Sequence, residues 1–144
     1  MEKQLVICAS PYQKKYYFEE KFRDIPTSIQ EELTAVVATL ADKVKAIISL
    51  GFYENGTIYI EQTTENAFDD EIGIALEIKS FQNANKELLR SLRLWFMIYR
   101  MKEGHYVKMV VLYQSQGMSS GEIIEKVTAQ FGEEAGQFVE QILE

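Results

Sequence analysis

The 144 residues carry a formal charge of −7, a hydrophobic share of 47% and only two prolines. That composition excludes an intrinsically disordered chain, and at this length about 70% of the unfolded surface is buried, enough for a core without metal or disulfide. The acidic balance argues against non-specific nucleic-acid binding, because phosphate backbones repel it.

Gln4 to Cys8 reads as a short strand ended by Ser10-Pro11, and the aromatic stretch Tyr12 to Phe18 reads as its pairing partner. Leu5-Val6-Ile7 is too short for a signal-peptide core, and no run approaches the ~20 apolar residues of a membrane span. A cytoplasmic protein with no membrane partner is expected. Pro26 marks a break. Thr27 with Gln30 has the spacing of a capping box, and Ile29, Leu33, Val36, Val37, Leu40 and Val44 share one face of the helix that follows.

Residues 46–53 and 57–64 read as a β-hairpin, with Asn55-Gly56 as a type I′ turn. Ile58 and Ile60 alternate with Tyr59 and Glu61, which predicts one packed and one wet face. The acidic run Asp69-Asp70-Glu71 suits the positive end of a helix dipole better than a metal site, since consecutive side chains diverge on a helix.

From Ile74 to Tyr99 an apolar seam steps by four and three through Ile78, Phe81, Asn85, Leu88, Leu92 and Trp95. The segment is either one long helix or two meeting near Asn83. Asn85 in the seam marks a kink in a monomer or a register-fixing residue in a helix-mediated homodimer. Opposite the seam, Lys86, Arg90, Arg93 and Arg100 stand at offsets of 0, 4, 7 and 14, on one helical face.

Gly104 closes the segment, and Tyr106 to Gln116 reads as a helix stopped by Gly117. Ser119 and Glu122 form a strong capping box, with Met118 placed to staple onto Ile123. The last helix runs from Glu133 to Leu143, with Ala135, Phe138, Val139 and Ile142 inward. These three helices have the lengths of a helix-turn-helix unit, but the last carries Glu133, Glu134 and Glu140 and no basic residue. DNA binding is not expected.

Catalytic constellations are weak. One cysteine, Cys8, and one histidine, His105, lie far apart in sequence and cannot build a zinc site of the usual spacing. Cys8 reads as a small buried residue and His105 as an exposed helix-junction residue. No glycine-rich phosphate loop, dinucleotide fingerprint or EF-hand is present, so no cofactor and no metal is expected. Asn55-Gly56-Thr57 matches a glycosylation acceptor but reads as turn chemistry.

Cys8-Ala9-Ser10, Tyr12 to Phe18, Ile25-Pro26 with Ile29 and Glu32-Leu33, and above all Asp70-Glu71-Ile72-Gly73 with Ala75-Leu76, Ile78-Lys79 and Glu87-Leu88-Leu89 carry a resemblance. Over about residues 5–100 the chain resembles a family of small uncharacterised Firmicutes proteins, a domain of unknown function. Ser10-Pro11 stands where that family's pattern is Asn-rich. The resemblance implies a compact α/β domain in the cytoplasm and no assigned activity. It points to Tyr12, Lys15, Tyr16, Asp70 and Glu71 as a functional surface, with packing of the N-terminal strand as the plainer role for the tyrosines.

The expected architecture is α+β: a small antiparallel sheet, the 46–64 hairpin plus the N-terminal strand, packed by two long helices. Residues 1–103 form this domain and 104–144 a C-terminal helical extension, taken as a second unit or as part of the first. The expected function is a non-catalytic interaction or adaptor protein that meets an acidic protein partner through Lys86, Arg90, Arg93 and Arg100, with a homodimer close behind. The alternative is a small-molecule-binding regulatory domain with a pocket between sheet and long helix, lined by Trp95, Tyr99 and Phe52. An enzyme is the least favoured reading, because no acid, base and nucleophile converge in the sequence.

Overall fold

A computed structural model describes residues 2–63 and 71–143. Their contacts divide the chain into two units, Met1–Arg93 and Leu94–Glu144. The described residues form a four-stranded antiparallel sheet and six α-helices, an α+β fold with a helical C-terminal region.

The first unit is built on two hairpins. Strands β1 (Lys3–Ser10) and β2 (Lys15–Phe18) form one, and β3 (Ile47–Tyr53) and β4 (Ile58–Thr63) the other. Antiparallel pairing of β1 with β3 joins them in the order β2-β1-β3-β4. Leu5 faces Gly51 but Ile7 faces Leu50, so Val6 is the extra residue of a β-bulge. Its carbonyl is not idle: it accepts the Glu19 N–H at 2.8 Å. The bulge lets the consecutive residues Val6 and Ile7 both be buried, which strict alternation forbids. Ile7, Ala9, Ile48, Leu50 and Phe52 then form a buried face, and helix α1 (Thr27–Val44) packs against β1 and β3 with Leu33, Val37, Leu40 and Ala41 buried.

The second hairpin forms where expected, but its turn differs. Gly56 N–H donates to Tyr53 O at 2.9 Å and Tyr53 N–H to Thr57 O at 2.8 Å, while only Gly56 of the turn has positive φ. This is a three-residue loop, a type I turn followed by a left-handed glycine, not the two-residue type I′ turn. The reason is register. The loop sets Phe52 opposite Ile58 and Leu50 opposite Ile60, whereas a two-residue loop would slip the pairing by one and turn apolar side chains to opposite faces.

On the other face Tyr59 lies opposite Gly51, and both are buried. A Cβ on Gly51 would stand 2.6 Å from the Tyr59 hydroxyl and would also meet the Gln4 carbonyl. The tyrosine ring occupies the space that the missing side chain leaves. Alternation holds in β4, but the expected burial does not: Tyr59, on the face read as wet, is buried, while Ile58 and Ile60 are half-buried.

The helix starting at Thr27 forms without the expected capping box. Pro26 occupies the N-cap, which makes Thr27 the first helical residue and one place too late to cap. The Gln30 amide donates instead to the carbonyls of Arg23 and Ile25, at 2.8 and 2.6 Å. The long segment is two helices, α2 (Glu71–Ala84) and α3 (Lys86–Arg100), interrupted at Asn85. Asn85 closes the break itself: its side-chain amide donates to Phe81 O at 2.9 Å. Ile74, Phe81, Leu88, Leu92 and Trp95 of the seam are buried, but Tyr99 is exposed. Asp69 and Asp70 lie outside the described residues; Glu71 opens α2 and is exposed.

In the second unit helices α4 (Gly104–Ser115), α5 (Ser120–Phe131) and α6 (Glu133–Leu143) share a core of Val110, Tyr113, Ile123, Val127, Ala135 and Val139. Gly104 begins α4; it does not end the preceding helix. A Cβ there would collide with the Ile98 carbonyl, so close approach explains the glycine. Gly117, at φ 83°, stops α4 with the Met118 N–H bonded to Tyr113 O at 3.1 Å. The Ser119–Glu122 capping box is formed in both directions, and Met118 packs into the cluster that holds Ile123. Among the described residues no helix is long and apolar enough to cross a membrane.

Two measurements check this packing. Gly51→Ala is expected to destabilise the protein by about 1–3 kcal/mol in urea unfolding, since neither the Gln4 backbone nor the seated Tyr59 ring can move away freely. Glu122 supplies a pH signature. Hydrogen bonds from the Ser119 hydroxyl and then the Ser119 N–H hold its carboxyl below the ordinary value of 4.5. The unfolded chain binds that proton at higher pH, so the contribution is whole above about 4.5 and lost as pH falls through the lower folded value. Glu122→Gln should therefore melt below wild type at neutral pH, with the gap closing in acid.

Candidate functional site

Helix α3 changes character along its length. Lys86, Arg90 and Arg93 are exposed and fall within about 60° of arc, opposite the buried Leu88 and Leu92. None of the three has an ion-pair partner among the described residues. Lys79 on α2 is likewise exposed and without an ion pair among them. Glu87, the nearest carboxylate in sequence, points about 100° away from Lys86.

Arg100 stands apart from this row. Met97 lies in line between Arg93 and Arg100 and is only 3% exposed. Trp95, Phe96 and Met97 are three consecutive buried residues, covering about 200° of the helix. The guanidinium of Arg100 lies 5.1 Å from the centre of the Trp95 ring, where a cation is attracted to the aromatic face. The four-residue stripe read from spacing is thus a three-residue row in the first unit and a stacked arginine in the second. Spacing alone could not show it, because Met97 is as good a helix former on a wet face as on a dry one.

The surface implied by the family resemblance lies at the turn between β1 and β2. The Tyr12 hydroxyl donates to Lys45 O at 2.8 Å, tying that turn to the left-handed C-cap of α1, and Lys14 pairs with Asp42 at 3.1 Å. Tyr12 therefore has a structural bond although half of it is exposed. Lys15 and Tyr16 are exposed on β2, an edge strand. Glu71 is at the start of α2, and Asp70 is outside the described residues.

The residues expected to line a pocket separate into different roles. Phe52 is fully buried, its ring 5.7 Å from Phe22, while Tyr99 is 63% exposed and packs its ring at 5.9 Å from Trp95. A groove does occur in the first unit, between α1 and α2. It encloses about 340 Å³, with Val36, Leu40, Phe81 and Ala84 along it and the Lys43–Glu77 ion pair, at 3.0 Å, beside it.

Cys8 is half-buried, 3.6 Å from the Ser49 hydroxyl, and not enclosed as expected. His105 is exposed at the second position of α4, its ring edge-on to Phe131 at 5.6 Å. Among the described residues no three His, Cys, Asp or Glu side chains are grouped to hold a metal ion.

Fold and surface together define a small α+β domain extended by a three-helix region. Residues 3–104 match a family of unknown function, DUF6145, and the chain belongs to that family. The match ends at the first residue of α4, so α5 and α6 lie wholly beyond it. No curated protein and no solved structure matches the chain.

A row of cations without ion pairs contributes little to folding. Arg90→Ala and Arg93→Ala should each change unfolding free energy by no more than about 0.5 kcal/mol. Leu92→Ala, on the buried side of the same helix, should cost about 2–5 kcal/mol. Denaturant titration of the three variants checks both.

Proposed function

We propose that this protein is a non-catalytic interaction domain that docks an acidic segment of another protein on the Lys86–Arg90–Arg93 row of α3. The observation that carries this reading is the row itself: exposed, on one helical face, and without an ion pair among the described residues in a chain of charge −7. Carboxylates are abundant in the chain, yet none described is spent on these cations, so their field remains available to a second molecule. Charges so placed steer encounter and select partners more than they add affinity.

The seam residues Leu88 and Leu92 are already buried within one chain. A second copy is not needed to cover them, which supports reading the partner as a different protein and not as a second copy. A small ligand is the second reading, favoured by the α1–α2 groove, whose 340 Å³ falls in the range of about 300–1,000 Å³ for ligand sites.

Affinity purification from the native host should recover a partner with wild type and lose it with Arg90→Glu/Arg93→Glu, the variant keeping the wild-type melting curve. The recovered complex should weaken as salt rises. Retention of the same partners by the folded variant would sink the proposal, and ligand screening against the groove would then take precedence.

A further inference from the structure

We propose a second site, in the C-terminal unit: a recess that binds an organic ammonium group. It lies where the start of α4 meets the corner between α5 and α6, and encloses about 310 Å³. Tyr106, Phe131 and Phe138 line it together with Glu103 and Glu134. Lys102 is at the rim, 4.0 Å from the Glu103 carboxylate, with its own side chain almost wholly in solvent.

The aromatic geometry is that of walls and not of a stack. Tyr106 and Phe131 have centroids 5.4 Å apart with planes inclined at 61°, and Tyr106 and Phe138 are 6.3 Å apart at 54°. The rings pack edge to face or tilted, with His105 against Tyr106 and Phe131, and the faces left open to the recess can attract a cation. Phe131 is 43% exposed. The α5–α6 core closes over Ile123, Val127 and Val139 without it. Its position just before Gly132, where α5 ends, leaves the ring at the mouth of the recess.

Charge selects the same class of ligand. From Leu94 to Glu144 seven Glu stand against four Lys and Arg, so the unit is net acidic and draws cations toward itself. Glu103 and Glu134, against the single outward-turned Lys102, leave the lining net acidic, which disfavours an anion and gives a neutral apolar molecule no advantage. A bare metal ion is also a poor fit, because no grouping of three ligating side chains occurs among the described residues. An ammonium with alkyl shoulders satisfies both parts of the wall: its methyl groups contact the rings and its charge meets Glu134, Glu103 being already paired with Lys102. The same chemistry arrives on a free small molecule or on a methylated lysine side chain of another protein.

NMR titration of the full chain at constant ionic strength tests this. The probes are choline, its neutral isostere 3,3-dimethylbutan-1-ol, and a peptide bearing trimethyllysine. Choline or the peptide should shift Tyr106, Phe131 and Phe138 saturably, with the isostere at least about tenfold weaker. Phe131→Leu, which keeps apolar bulk, should lose about tenfold in affinity, and the exposed Glu134→Gln several-fold. Unchanged core methyl resonances of Ile123 and Val127 establish that either variant is folded. Tighter binding of the peptide assigns the ammonium to a partner chain, and tighter binding of choline assigns it to a small molecule. Equal binding of choline and its isostere, or no saturable shift with any probe up to about 10 mM, would overturn the proposal.

Discussion

The pairing of β1 with β3 is the constraint on which the first unit depends. Each hairpin is local, closed by a short turn, but neither could bury a face alone. Their junction brings Cys8 to Ser49 and Ile7 to Leu50, across some forty residues of chain. It also carries the bulge at Val6, which resets the alternation of β1 so that Ile7 and Ala9 join Ile48, Leu50 and Phe52 on the face that α1 covers. The Val6 carbonyl then fixes the exit of β2 through Glu19. One extra residue thus decides the register of the sheet and the path into α1.

A second constraint acts on α3. Its first half is an ordinary amphipathic helix, with leucines on one side and cations on the other. Its last turns bury three successive side chains, which no single flat contact can do. The unit boundary falls inside this helix, between Arg93 and Leu94. The change from one-sided to many-sided burial along α3 divides its charged residues accordingly. Lys86, Arg90 and Arg93 remain on an open face, while Arg100 lies against an indole.

The two candidate sites differ in chemistry. The α3 row is cationic and lies within the part of the chain that matches its family; the C-terminal recess is aromatic and acidic, and most of its walls lie beyond the match.

Much of the fold was legible in the sequence because local rules govern it. The strands at 4–8 and 57–64, the α1 face, the Ser119–Glu122 capping box and the Gly117 stop all follow from periodicity or from backbone groups that must be satisfied within a few residues. The hairpin was legible, but its turn type was not, because the Phe52–Ile58 pairing outweighed the Asn-Gly preference. The capping box at Thr27 failed for a similar reason: Pro26 shifted the helix start by one position. The basic row could be read as a face, but not its interruption at Met97, and neither the α1–α2 groove nor the aromatic recess could be read at all. Those features are gaps between elements, and a gap is set by how close backbones approach and which side chains fill it. Local periodicity settles what each segment becomes; only tertiary contact decides which of its residues are left facing outward.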